Sequence, residues 1–154
     1  MPTRPSGCAR SGPPIPDAPV DAAVSRLLLD STVLIDALRG RSAAARVTGL
    51  RRSGVEPWVC VISIEEIWRG LLPAETQTAE RLFRGMRLAP LGAAQGRAAG
   101  TWRRDFAAQG ITLHQADCLI AAAAVGIGAP LATANIDDFP MPELRLDHWP
   151  VEQS

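Results

Sequence analysis

The sequence predicts an α/β protein in which a central, mostly parallel sheet of four to five strands is flanked by helices. Short apolar runs of strand length alternate along the chain with longer segments of helical periodicity, and Gly or Pro residues often separate them. Strands that are connected by helices pair in parallel and carry the helices on the faces of the sheet. The length of 154 residues and the net charge of zero are typical of a single globular domain without an overall basic field.

The strands are predicted from short runs of apolar or β-branched residues. The run "LLL" at 27–29 ends directly at an acid, "VEPWVCVIS" at 55–63 is β-rich, and "APLATA" at 129–134 is uncharged. Two weaker runs complete the set. They are "RLAPLG" at 87–92, a short strand or connector, and "LRLDHW" at 144–149, a last strand.

The helices are predicted where apolar residues recur at a helical spacing and the segment ends at Gly or Pro. These segments are residues 31–39, 42–54, 63–72, 76–86, 93–110 and 114–126. The last helix, "HQADCLIAAAAVG", is rich in alanine and carries no charge after Asp117, so we expect it to be buried.

The N-terminal residues 1–25 contain six prolines and no periodic apolar pattern. Such a composition predicts a disordered tail, and this tail can also lie upstream of the natural start of translation. The predicted domain therefore occupies residues 26–154.

Cysteine spacing and hydropathy favour a cytoplasmic protein without a membrane span. The three cysteines are far apart and form no CxxC pair, so neither a zinc site nor a disulfide framework is indicated. The uncharged stretch 118–136 is long enough to cross a bilayer, but Gly126, Gly128 and Pro130 interrupt it. A buried helix followed by a buried strand is the better interpretation.

Acidic residues recur where predicted strands end or the following helices begin. They are Asp30, Glu66, Asp117 and the pair Asp137 and Asp138. Because the carboxyl ends of parallel strands share one edge of a sheet, we expect these acids to lie together.

Each acid also has a purely structural interpretation. Asp30 can cap a helix, Glu66 can complete a capping box, Asp117 can favour the positive end of its helix, and Asp138 can belong to a turn. Four carboxylates at one edge would however repel one another unless a cation joined them. Hard oxygen ligands suit Mg²⁺ or Mn²⁺, and such a site can activate water for phosphodiester hydrolysis.

Other catalytic arrangements are not indicated. The two histidines, His114 and His148, lie near no nucleophile motif, and no Gly-rich phosphate loop is present. His114 is interpreted as a helix-start residue, with a phosphate contact as the alternative.

Four motifs resemble those of the PIN-domain ribonucleases, in particular the VapC-type toxins of bacterial toxin–antitoxin pairs. In chain order they are "LLLDSTVLIDALRG", "ISIEEIWRG", "ADCLIAAAA" and "TANIDDFP". The resemblance spans Leu27 to about Trp149 and implies a PIN-like three-layer α/β/α sandwich.

The resemblance also implies roles for single residues. The catalytic acids would be Asp30, Glu66, Asp117 and Asp138. Asp30 and Asp117 would bind the metal directly, whereas Glu66 and Asp138 would bind it directly or through water. Glu66 is preferred to Glu65 because Gly70 follows it by four residues.

The supporting polar residues would be Thr32, Thr133, Asn135 and Asp137. The family more often has Asn or Ser at position 32. The adjacent Asp137 leaves open which of the two carboxylates, Asp137 or Asp138, faces the metal.

The implied function is a Mg²⁺-dependent endoribonuclease, with Mn²⁺ able to substitute, that cuts structured RNA such as tRNA or rRNA and inhibits translation. The implied partners are a VapB-like antitoxin and a second copy of the chain, in a heterotetramer or larger assembly. A hint of an antitoxin groove comes from an excess of apolar residues at Ile67, Trp68, Leu71, Leu72 and Phe83.

Arginines are the candidates for steering the RNA backbone. One group is Arg39, Arg41, Arg51 and Arg52, and a second is Arg81, Arg84 and Arg87, which we expect on one helical face. A solvated helix surface is the alternative for both groups.

Three other functions are compatible with parts of this pattern. A haloacid dehalogenase-like phosphatase needs a second acid two residues after Asp30, where Thr32 stands, and is set aside. A catalytically silent PIN-fold binding module and a PIN-type RNA-processing nuclease that is not a toxin stay open.

Overall fold

The computed structural model describes residues 25–151, which form five strands and six α-helices. The strands are β1 (Ser25–Leu29), β2 (Val55–Val59), β3 (Arg87–Leu88), β4 (Leu131–Thr133) and β5 (Leu146–His148). The helices are α1 (Ser31–Leu38), α2 (Ser42–Leu50), α3 (Val61–Arg69), α4 (Thr76–Arg84), α5 (Ala93–Ala107) and α6 (Gln115–Gly126). Short 3-10 turns cover Arg51–Ser53, Pro73–Glu75 and Ile136–Asp138.

The strands form one sheet in the order β3-β2-β1-β4-β5, and every neighbouring pair is parallel. β1 is the central strand, where Leu28 is in register with Trp58 of β2 and with Leu131 of β4. The predicted parallel α/β fold is therefore confirmed. The carboxyl ends of all five strands lie at one edge of the sheet, which is where the predicted acids follow β1, β2 and β4.

Two separate apolar cores lie on the two faces of the sheet. Successive side chains of a strand point to opposite faces, so Leu27 and Leu29 join the core formed with α1 to α4, whereas Leu28 joins the core formed with α5 and α6. The alanine-rich body of α6 is buried as predicted. The three layers of the sandwich follow from this alternation.

The predicted β-run at 55–63 is too long. β2 ends at Val59, and the extended residue Cys60 is the N-cap of α3, which begins at Val61. The Cys60 carbonyl accepts the first helical hydrogen bond, from the Ile64 backbone N–H, at 3.2 Å. An apolar β-branched run does not show where a strand becomes a buried helix, so the boundary could not be located from the sequence.

The prediction that Arg81, Arg84 and Arg87 share one helical face is wrong for Arg87. α4 ends at Arg84, and Arg87 begins β3, where its Nε lies 3.3 Å from the Glu56 carboxylate. Gly85 is the C-cap of α4 and stops the helix before Arg87.

The predicted tail lies outside the described residues, except for Ser25, which is the first residue of β1. Cys8 lies outside them as well. Cys60 and Cys118 are buried free thiols. Within residues 25–151, none of the helices has the length and apolar character that crossing a bilayer requires.

Candidate active site and metal centre

Asp30 lies directly after β1 and is almost completely buried, with 4% of its surface exposed. It occupies the N-cap position of α1, but its side chain makes no capping hydrogen bond. Its Oδ2 instead accepts hydrogen bonds from Thr133 Oγ1 at 2.8 Å and from Thr32 Oγ1 at 3.0 Å. Capping therefore does not account for this carboxylate, which faces the polar ends of β1 and β4.

Burial disfavours the charged form of Asp30. Burial raises the pKa of Asp30, and the hydroxyls of Thr133, Thr32 and Ser31 offset part of that rise. Neutral hydroxyls compensate a buried carboxylate less than a cation does. A bound cation would therefore stabilise the charged form.

Glu66 on α3 reaches the same edge. Its Oε2 accepts a hydrogen bond from Ser31 Oγ at 2.9 Å, whereas its Oε1 is buried and has no hydrogen-bond partner. The alternative capping box is contradicted, because Ser63 lies inside α3 and its Oγ is buried without a partner. Glu66 thus presents one free oxygen to the site.

Asp117 lies in the first turn of α6, and its pKa is affected by the charges of the other acids. Its pKa is raised from 3.8 to about 6, first by burial and then by the negative charges of Asp138 and Asp30, with a smaller contribution from Glu66. His114 acts in the opposite direction. The charges of the other three predicted acids therefore act on Asp117, and Asp138 contributes the most among them.

The supporting threonines tie the loop after β4 to Asp30. Thr133 Oγ1 accepts a hydrogen bond from the Asn135 backbone N–H at 3.1 Å, and Thr32 Oγ1 accepts one from the Ala134 N–H at 3.2 Å. Both hydroxyls also donate to Asp30. The loop that carries the fourth acid is thereby held in a defined position relative to the first.

The chemistry of these donors fits a hard divalent cation. The acids offer carboxylate oxygens, and the unpartnered Oε1 of Glu66 is a buried acceptor for which a metal or its bound water would provide the missing partner. In the part of the chain that the structure describes, no three or more His, Cys, Asp or Glu side chains are grouped so that they could hold a metal ion together. Mg²⁺ keeps several waters and usually takes only one or two protein carboxylates, so it does not require such a group.

The predicted cationic residues lie at different distances from this edge. Arg39 and Glu66 line a common cavity of about 80 Å³, so Arg39 stands at the rim of the site. Arg84 is exposed at the end of α4, and Arg41 is half-buried before α2. No interaction places Arg84 beside the acids.

Arg103 is a neighbour of the site that the sequence did not reveal. Its Nε donates to the Leu113 carbonyl at 3.3 Å, directly before His114, and its charge acts on the Cys118 thiol next to Asp117. Nothing in the spacing of α5 marks Arg103 apart from Arg104, because only the packing of α5 on α6 brings it to this position.

The expected apolar groove is only partly present. Trp68 is 45% exposed and Leu72 is 62% exposed, and Leu71 and Phe83 are partly buried against the core. Ile67, with 3% exposed, belongs to the core and is not a groove residue.

Comparison with known proteins identifies the family. Residues 27–141 match the PIN domain family, which is most of the described chain. The protein therefore belongs to the PIN-domain family, and within it to the VapC type. Ribonuclease VapC10 of Mycobacterium tuberculosis is 34% identical over 115 residues, covering 75% of this chain and 86% of the relative. Ribonuclease VapC19 of the same organism is 30% identical over 120 residues, covering 77% and 96%.

Solved structures agree with the fold. The VapBC2 complex of Rickettsia felis, bound to a DNA fragment from its promoter, superposes with a TM-score of 0.72 at 19% identity and covers 80% of this chain and 98% of the matched chain. The DNA-bound VapBC of Salmonella typhimurium gives a TM-score of 0.70 at 19% identity, with 81% and 98% covered.

Proposed function

We propose that this protein is a Mg²⁺-dependent endoribonuclease and the toxin of a type II toxin–antitoxin pair. Its substrate would be structured RNA, tRNA or rRNA, and its action would inhibit translation. Support comes from its VapC-type relatives, two of which are named as ribonucleases at 34% and 30% identity. The site adds support from its own chemistry.

The observation that carries the proposal is the convergence of charge on Asp117. Burial and three other carboxylates raise its pKa to about 6. Such crowding is unfavourable in the protein alone and becomes favourable when a divalent cation binds the group. Perturbed carboxylates gathered in a site of this kind are candidates for function.

Each residue then has a proposed role. Asp30 and Asp117 would hold the metal directly, and Thr133 and Thr32 keep the Asp30 carboxylate oriented through Oδ2. Ser31 donates a hydrogen bond to Glu66 Oε2, and the unpartnered Oε1 of Glu66 would orient the attacking water. Asp138 would bind the metal through water. When bound, the divalent ion supplies Lewis-acid activation of that water and stabilises charge on the phosphate.

Arginines would hold the RNA backbone on either side of the acids. Arg39 stands at the Glu66 rim, and Arg103 lies near the start of α6. Their charges would offset the repulsion between RNA phosphates and the carboxylates. Arg41 and Arg84 are further candidates for the same role.

A VapB-like antitoxin is the proposed protein partner, in the cytoplasm. The solved relatives of similar fold are VapBC complexes, and the exposed Trp68 and Leu72 offer an apolar surface for such a partner. We further propose a homodimer that joins antitoxin chains in a heterotetramer or a larger assembly.

The test is RNA cleavage by purified wild-type protein and the Asp117→Asn variant, with Mg²⁺ and with EDTA. Only wild type with Mg²⁺ should cleave, and only wild type should arrest growth on expression. Asp105→Asn is the matched control, because Asp105 is an exposed aspartate on α5. Mapping the new 5′ ends in cells would then identify the RNA target.

Other outcomes would support the open alternatives. Cleavage by wild type without growth arrest would favour an RNA-processing nuclease. Full activity of Asp117→Asn would remove Asp117 from the catalytic set, and absence of cleavage by wild type in Mg²⁺ or Mn²⁺ would favour a silent binding module.

A further inference from the structure

A cavity of about 490 Å³ opens beside the acids at the carboxyl end of β4 and β5. Its lining residues are Ala134, Asn135, Ile136, Asp137, Asp138 and His148. Asp138 belongs both to this cavity and to the group of charges that acts on Asp117. The cavity therefore shares a wall with the proposed metal centre.

The position of the cavity relative to Asp30 is set by the sheet. Thr133, whose hydroxyl donates to Asp30, is in register with His148 on the next strand. Neighbouring strands lie about 4.8 Å apart, so His148 stands one strand away from the residue that orients the first acid. A nucleotide adjoining a phosphate at the acids would come within reach of this cavity.

The wall that carries Asp137 is a short 3-10 turn held by backbone hydrogen bonds. The 3-10 turn Ile136–Asp138 is closed by hydrogen bonds from the Asp138 and Phe139 backbone N–H groups to the Asn135 and Ile136 carbonyls, at 3.1 and 3.2 Å. The buried Phe139, with 2% exposed, anchors its far end. A side chain on such a support can select one ligand, because its geometry does not adapt to another.

The lining excludes phosphate and favours a base. Two carboxylates would repel the RNA backbone, whereas Ile136, 38% exposed, and His148 offer an apolar and a planar surface to a base. Asp137 is exposed and lines the cavity, so its carboxylate is accessible to a ligand there. A carboxylate accepts hydrogen bonds only, and therefore requires N–H donors from the ligand.

We propose that this cavity, called here the base pocket, holds an unpaired guanine next to the cleaved phosphodiester, with Asp137 accepting hydrogen bonds from guanine N1–H and N2–H. Guanine is the RNA base that presents two adjacent N–H donors on its Watson–Crick edge, which matches the two oxygens of one carboxylate. The inference rests on the proposed ribonuclease function and specifies its substrate.

The first experiment maps cleavage in a pool of short random RNAs incubated with wild-type protein and Mg²⁺. Guanine should be enriched at one position beside the cut bond. A defined oligonucleotide with that guanine is then compared with its inosine counterpart, which lacks only the 2-amino group. Wild type should show a kcat/KM ratio of about tenfold or more in favour of guanine, because inosine keeps N1–H and loses one hydrogen bond to the charged carboxylate.

The Asp137→Asn variant separates the contact from the metal site. Its amide offers one acceptor and turns an N–H toward the other donor, so the guanine-to-inosine ratio should fall to near one. Asp105→Asn should keep the wild-type ratio. No enrichment of guanine, or a wild-type ratio retained in Asp137→Asn, would overturn the proposal. The Asp137→Asn variant could also lose all cleavage and its stabilisation by Mg²⁺. That result would overturn the proposal, because it would show that Asp137 binds the metal.

Binding provides a readout that does not depend on cleavage. The affinity for the labelled guanine and inosine oligonucleotides is measured by fluorescence anisotropy, with Asp117→Asn in Mg²⁺ and with wild type in EDTA. The same measurement is then made on the double variant Asp117→Asn, Asp137→Asn in Mg²⁺. The base pocket predicts tighter binding of the guanine oligonucleotide that disappears with Asp137→Asn. If wild type fails to cleave any RNA, the ribonuclease proposal fails, and the two affinities still decide the pocket.

Discussion

Replacing Asp117 by Asn should stabilise the protein in the absence of metal near neutral pH. The carboxylate has its pKa raised from 3.8 to about 6 in the folded state. The folded protein therefore holds this proton to higher pH than the unfolded chain. The stability that this provides is fully present below the unfolded pKa of 3.8 and is lost as pH rises through about 6.

The size of the effect follows from the same shift. A difference of about two pH units corresponds to roughly 3 kcal/mol, at about 1.4 kcal/mol for each unit. Asp117 is half-buried, so solvent screens part of this interaction and the expected gain is about 1–2 kcal/mol. For a chain of this size the melting temperature should rise by roughly 3–6 °C.

The assay is thermal unfolding followed by circular dichroism in EDTA, at about pH 7.5 and about pH 4. Asp117→Asn should melt higher than wild type at the first pH, and the difference should close at the second, where wild-type Asp117 holds its proton. The exposed Asp105→Asn serves as the control and should change little. An Asp117→Asn protein no more stable than wild type at neutral pH, or a gain independent of pH, would refute the reasoning.

Two further predictions concern the metal and the α1–α2 connection. Saturating Mg²⁺ should raise the melting temperature of wild type by several degrees, because a Mg²⁺ concentration of about 100 times Kd stabilises the folded state by about 2.7 kcal/mol. The melting temperature of Asp30→Asn should not rise in this way. Equal shifts in both proteins would exclude Asp30 as a ligand. Asp36→Ala should cost about 1–3 kcal/mol in denaturant unfolding, because the buried Asp36 Oδ2 accepts hydrogen bonds from the Ala43 N–H at 2.8 Å and Ser42 Oγ at 3.1 Å. A cost no larger than that of Asp105→Ala would show that this connection is not needed.

The fold was predictable because its signals are local. The uncharged run 129–134, which follows Gly128, favours a buried strand, and the longer alanine-rich segment favours a buried helix; the structure has β4 and α6 at these places. Parallel pairing follows from helices that connect consecutive strands. The errors fell where local signals are ambiguous, at the end of β2 and at the end of α4. There β-branched residues or a spacing of three fit more than one structure.

The grouping of the acids could also be expected, because Asp30, Glu66 and Asp138 come after strands whose carboxyl ends share one edge and Asp117 lies in the first turn of a buried helix. Their individual contacts could not. The hydrogen bond from Ser31 to Glu66 joins residues 35 positions apart, and that from Thr133 to Asp30 joins residues 103 positions apart. The positions of Asp137 and Asp138 depend on a 3-10 turn that no spacing indicates.

By itself, the sequence determined the parallel α/β architecture, the buried character of α6 and the set of acids at the sheet edge. These depend on residue type and periodicity, which act over a few neighbouring positions. Only the tertiary structure decided that Arg103 stands beside the start of α6, that one oxygen of Glu66 has no hydrogen-bond partner, and that Asp137 and Asp138 line one cavity together with His148. Those features depend on distances between segments far apart in the chain, which are set when the helices pack on the two faces of the sheet.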